Sequence, residues 1–334
     1  MTAAPKRELP SGMRAQLEAS SIHGPATFGM RPLLTEPEQL DEWQPDVAIV
    51  GAPWDENTTN RPGARFGPRA LRAAAYDPGS YHLDLGVELF EQLEVVDYGD
   101  AIMSHGLWEP SRAAIQQRVG EIASRGIIPI IIGGDHSITW PAATAVAEHH
   151  GYGRITMIHF DAHADTAEHI DGNLASHGSP MRRLIESGAI AGKNFIQVGL
   201  RGYWPGEEDQ RWMRDNGLRH HTMQKIWERG VREVTREVID EALADGTDGV
   251  YLSIDIDVLD PAFAPATGTP APGGFAPIDL LRVVRQIVLE TNVVAMDVME
   301  VAPPYDHADV TINNAHGLIW EALGAMAWLK ANPT

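Results

Sequence analysis

Seven short apolar runs recur along the chain: Asp46–Val50, Leu93–Val96, Ile127–Ile132, Ile155–His159, Phe195–Val198, Gly249–Ile254 and Val293–Val298. Between most of them lie longer amphipathic stretches, such as PSRAAIQQRVGEIASRG and VREVTREVIDEALADG, with apolar residues at helical spacing. Runs that are apolar throughout, rather than alternating, have no face to give to water. They predict an α/β fold: a parallel sheet covered by helices on both sides and joined by right-handed crossovers. No linker rich in Pro, Gly or Ser splits the pattern and no internal repeat is visible. The expectation is therefore one catalytic domain over residues 46–334, preceded by an irregular arm over 1–45. The arm's apolar stretch GPATFGMRPLL is expected to pack on the body of the protein or on a neighbour.

Ligands in such folds sit beyond the carboxyl ends of the strands. Four polar clusters follow four of the apolar runs: Asp135 and His136; Asp161, His163 and Asp165; Asp255 and Asp257; Asp297 and Glu300. In HFDAHADT the two aspartates and the histidine stand two apart, and such residues share one face if the extended backbone persists. Two acids against one near-neutral imidazole need a positive partner, and a divalent metal is the simplest one. In SIDID, Asp255 and Asp257 interrupt an apolar strand, and mutual repulsion raises their pKa values unless a cation binds. Two such pairs indicate two ions. His136, Asp161, His163, Asp165, Asp255 and Asp257 suit a dinuclear site. The chain has no cysteine, so ligation is by nitrogen and oxygen, which fits manganese or another mid-series divalent ion better than structural zinc.

A net charge of -20 argues against nucleic-acid and anionic-membrane partners and is compatible with a cationic substrate. The N-terminal residues lack the apolar core of a signal peptide, and no uninterrupted apolar stretch is long enough to span a bilayer. A cytoplasmic protein is expected.

The segments GGDHS, DAHAD, SIDIDVLDPAFAPATGTPAPGG and DVMEVAPPYD, in that order, resemble the ureohydrolase family of arginases and agmatinases. RPGARFGPRALR, from Arg61 to Arg72, is most similar to the agmatinase branch, and the resemblance runs from about Asp46 to the C-terminus. It implies an arginase-like three-layer α/β/α sandwich with a mostly parallel sheet. It also implies that one ion is held by His136, Asp161, Asp165 and Asp255 and the other by Asp161, His163, Asp255 and Asp257. Manganese is the first candidate and nickel the second. By the same resemblance His177 shuttles protons, and Thr269 and Glu300 line the guanidinium pocket; Asp165 is expected to take the proton of the attacking hydroxide. The products are urea and an amine. His159, His169, His220 and His221 match nothing catalytic and read as core or surface histidines. A homo-oligomer, trimer or hexamer, is implied too.

Agmatine is the leading substrate by branch resemblance. Trp204 stands where arginases carry an acid that binds the α-amino group, although Glu207 remains, and Ala167 replaces a polar contact to the α-carboxylate; these departures argue against arginine. Trp204 and Glu207 are accordingly expected at the substrate. Two alternatives stay open. Arg182 and Arg183 could meet the carboxylate of a guanidino acid such as 4-guanidinobutyrate, and the Tyr203–Trp204 pair could shorten the pocket to suit free guanidine or a small alkylated guanidine. Outside enzymes, a non-catalytic partner subunit is the contrasting reading, and the intact set of six ligand positions with His177 and Glu300 speaks against it.

Overall fold

The computed structural model describes residues 26–74, 79–244 and 246–333. Each of the seven apolar runs is a strand: β1 Val47–Ala52, β4 Val95–Asp100, β5 Ile128–Gly133, β6 Ile155–Phe160, β7 Phe195–Val198, β9 Gly249–Asp255 and β10 Val293–Met299. Three further strands among the described residues went unread because they carry no apolar run: the polar edge strand β8, Arg219–His221, and the two strands of a short hairpin, β2, Tyr81–His82, and β3, Val87–Glu88.

The main sheet has eight strands in the order β4-β1-β5-β10-β9-β6-β7-β8, all paired parallel. Alternate residues of each central strand enter separate apolar clusters; Ile130 and Ile132 join one, Ile131 the other. Against the first face pack the helices Val231–Ala244, Pro277–Glu290 and Val310–Ala331, and against the second Trp108–Ala123, Thr139–His150 and Pro180–Glu186. The sheet is thus covered on both sides, as continuous apolar strands require. No helix among the described residues is long and apolar enough to cross a membrane.

Of the stretch read as an irregular arm, residues 1–25 lie outside the described residues, and the remainder contains a helix, Pro37–Trp43. The Gln39 side chain accepts the Thr35 and Glu36 N–H groups at 2.7 and 3.0 Å, which is local N-terminal capping that the apolar spacing does not reveal. Leu33 bridges Asp97 of the edge strand β4, and the Phe28 N–H donates to the buried Asp97 carboxylate at 2.8 Å. Arg72 balances that carboxylate, with Nε 2.7 Å from Oδ2. These contacts close part of an otherwise open sheet edge.

Candidate metal centre

The four central strands β5, β10, β9 and β6 are adjacent in the sheet, and the residues just beyond their carboxyl ends converge. Gly134 makes the close approach beyond β5: its N–H bonds the Ala52 carbonyl, and a Cβ there would lie 1.7 Å from the Trp54 carbonyl oxygen. His136 follows in a single turn of 3-10 helix, His136–Ile138.

Convergence is achieved by turns rather than by the extended backbone that residue spacing suggested. β6 ends at Phe160, and Asp165 has a backbone φ of 51°. Asp161 Oδ1 accepts the His163 N–H at 2.6 Å, and Asp255 Oδ1 accepts the Asp257 N–H at 2.8 Å. An aspartate that folds the next two residues back on itself is a common way to turn a chain sharply. Beyond β5, Asp135 does the same to Ser137 at 3.0 Å.

His136 Nδ1 is buried and lies 3.1 Å from Asp161 Oδ2, 3.2 Å from Asp165 Oδ2 and 3.2 Å from Asp255 Oδ2, with good hydrogen-bond geometry to none. His163 Nδ1 lies 3.1 Å from Asp257 Oδ2 and 3.4 Å from Asp161 Oδ1. Asp161 therefore offers one oxygen to each group. Asp255 presents Oδ2 to the first group while its Oδ1 holds the turn. Several ligand atoms aimed at one point, rather than paired off, form a donor set that fits divalent cations.

The electrostatics agree. Burial works against charging His136, yet Asp161, Asp165 and Asp255 raise its pKa well above the ordinary range. His163, half-buried and so partly opposed by desolvation, is pushed up to about 12 by Asp257 and Asp161. Burial, with Asp257 and Asp161 close by, raises Asp255. Such a cluster takes up positive charge in any form supplied. A third group, His221 with Glu237 and Glu241, is already balanced by Lys225 and Arg229.

Glu300 roofs the cluster from the end of β10. It is fully buried, with φ 64°, and its Oε1 accepts the His136 N–H at 3.0 Å and meets His177 Nδ1 at 2.7 Å. Glu300 Oε2 is buried without a partner. A Cβ at Gly268 would stand 3.1 Å from that oxygen, so glycine keeps the space before it open. His177, opposed by burial but favoured by Glu300, has its pKa raised to about 9. Its Nε2 lies 2.7 Å from Thr59 Oγ1, a partner that the sequence reading missed. Thr269 Oγ1 is 3.4 Å from Asp257 Oδ2.

Other expected positions lie apart from this cluster. Trp204 is half exposed in the loop after β7, and Tyr203 is fully exposed. Glu207 opens the helix Glu207–Asp215 and pairs with Arg211 at 3.6 Å. Asp297, in register with Ile131 of β5, lies on the second apolar face. His159, read as a core or surface histidine, is a core one, but its Nε2 sits 2.9 Å from Asp161 Oδ2. The signal was present in its position, two residues before Asp161 on the same strand face.

A sequence model described as "Arginase family" matches residues 45–324. A mitochondrial guanidino acid hydrolase of Homo sapiens is 37% identical over 88% of this chain and 81% of its own length. A mitochondrial agmatinase of Gallus gallus is 36% identical over 90% of this chain and 87% of its own. Among solved structures, proclavaminate amidinohydrolase from Streptomyces clavuligerus superimposes with a TM-score of 0.83 at 35% identity, covering 92% of this chain and 99% of that one.

Proposed function

The chain belongs to the arginase family, and from that premise we propose that its cluster holds two divalent ions, with agmatine as the preferred substrate. The reaction is hydrolysis of a guanidino C–N bond, giving urea and an amine. His136, Asp161, Asp165 and Asp255 would hold one ion and Asp161, His163, Asp255 and Asp257 the other, with manganese favoured over nickel by the oxygen-rich, thiol-free donor set. Divalent ions there supply a water acidic enough to attack at neutral pH.

The observation that carries this reading is the unpartnered, buried Oε2 of Glu300. A buried carboxylate oxygen of this kind calls for a cationic donor, and the planar guanidinium offers two N–H groups for a charge-assisted contact. With Oε1 tied to His136 and His177, Glu300 cannot swing away, so it fixes the guanidinium carbon over the cluster. Asp165 takes up the proton released by the attacking water. His177, held protonated by Glu300, gives its proton to the departing amine nitrogen. Thr269 and Gly268 shape the guanidinium pocket, and Trp204 with Glu207 contacts the far end of the substrate.

An amine tail is favoured over a carboxylate because both candidate carboxylate binders already pair with Glu186. Arg182 pairs with Glu186 at 2.9 Å and stacks on Trp212, and Arg183 pairs with Glu186 at 3.0 Å. The name of the human relative favours the second reading, a guanidino acid. Urea release should be measured with manganese- or nickel-loaded protein on agmatine, arginine, 4-guanidinobutyrate, 3-guanidinopropionate, guanidine and methylguanidines. A several-fold higher kcat/KM for agmatine is expected; preference for a guanidino acid or for guanidine would move the assignment to that compound. Family resemblance also supports a homo-oligomer of three or six chains, which sedimentation would test.

A further inference from the structure

A row of polar side chains crosses the sheet one layer beneath the cluster. Asp297 on β10, Ser253 on β9, His159 on β6 and Gln197 on β7 are register partners in turn, and all four are fully buried. They interrupt a face otherwise built from Ile131, Ala295, Tyr251, Met157 and Phe195. Four buried polar groups at one level of an apolar sheet require a reason.

Asp297 accepts three hydroxyls: Ser253 at 2.8 Å on Oδ1, and Thr139 and Tyr251, each at 2.8 Å, on Oδ2. Ser253 Oγ also lies 3.0 Å from His136 Nε2. The single Ser253 proton is committed to Asp297, so its oxygen can only accept, and the proton between it and His136 belongs to Nε2. With a cation in the cluster, His136 then carries its lone pair on Nδ1, the atom that faces Asp161, Asp165 and Asp255. Thr139, three residues after His136, fastens the same turn to Asp297.

We propose that Asp297 and Ser253 are a positioning pair that fixes the tautomer and orientation of His136 for one of the two ions. This inference rests on the metal reading above. It gives a role to the buried acid in VVAMDVMEVAPP that neither touches the cluster nor faces the substrate. Outer partners of a metal-binding imidazole act in this way by holding the ring and raising its basicity.

The test is calorimetric titration of Mn2+ into metal-stripped full-length protein, for wild type, Asp297→Asn, Ser253→Ala and the double variant, beside the thermal midpoint of each metal-free protein. His136 belongs to only one of the two groups, so each single variant should weaken one binding step by about 10- to 100-fold and leave the other within about 3-fold. The double variant should match the singles, because the two residues act in series. Excess Mn2+ should restore kcat with KM unchanged. Unchanged affinity in Ser253→Ala and Asp297→Asn overturns the proposal. Equal loss of both steps, tracking a lower midpoint, also overturns it by making the pair merely structural. If Asp297→Asn fails to fold, Ser253→Ala decides alone. Wild type that binds no Mn2+ removes the metal reading itself, an outcome distinct from wild type binding two ions and the variants binding them equally.

Discussion

Glu300 joins full burial, a backbone in the left-handed region and a carboxylate oxygen without a partner. Asp165 shares the unusual backbone, with φ 51°. Non-glycine residues pay for such conformations by about 1–3 kcal/mol each, and they persist where the surroundings dictate a side-chain position. Glu300→Gln keeps the shape but weakens the grip on a cation; activity should fall by at least about 100-fold while metal content by elemental analysis stays at the wild-type level. His177 gives a pH dependence. Its pKa rises from an ordinary 6.5 to about 9 on folding, despite burial, because of Glu300. The stabilisation it contributes is therefore complete below pH 6.5 and lost as pH rises through about 9. Thermal midpoints of metal-free wild type and His177→Gln should differ most below pH 6.5 and draw together above pH 9; a constant difference would refute the assignment. At this scale the acids and histidines that converge were legible because such residues are conspicuous after apolar runs. Thr59 was not, since a threonine in a loop carries no such signal and only tertiary structure brings it to His177.

Among elements, the loop from Asp257 to Pro272 carries Thr269 and Gly268 with little regular structure of its own, and Arg201 holds it. The guanidinium, just beyond β7, donates to the carbonyls of Gly199, Asp257, Leu259, Ala271 and Pro272 at 2.6 to 3.2 Å. Lysine cannot reproduce a planar fork of five donors. Arg201→Lys should lower stability by about 2 kcal/mol and speed hydrogen exchange across residues 257–272, as mass spectrometry would show. Gly134 sets a harder limit, because the Trp54 carbonyl occupies the place of its Cβ. Gly134→Ala should cost about 3 kcal/mol or more, read as a lower thermal midpoint or loss of soluble protein. The central strands were legible from their continuous apolar runs. β8 was not: Arg219, His220 and His221 look like surface, and the strand exists because β7 offers a free edge.

For the whole molecule, the cluster concentrates like charge at the centre of a chain already at -20. Chelation should lower the thermal midpoint, and Mn2+ at 100 times its Kd should restore about 2.7 kcal/mol per site. No change on chelation would mean that the cluster is balanced by protons alone. The alternation of apolar runs with amphipathic helices determined a doubly covered parallel sheet, and the polar residues after four runs determined which chemistry was available. Neither could say that β5, β10, β9 and β6 are neighbours, because strand order follows from long-range packing and not from local period. Nor could they say that Asp161 faces three histidines, or that Ser253 and Asp297 stand in register beneath His136. Sequence carries periodicity and residue chemistry; adjacency across the sheet comes only from the packed whole.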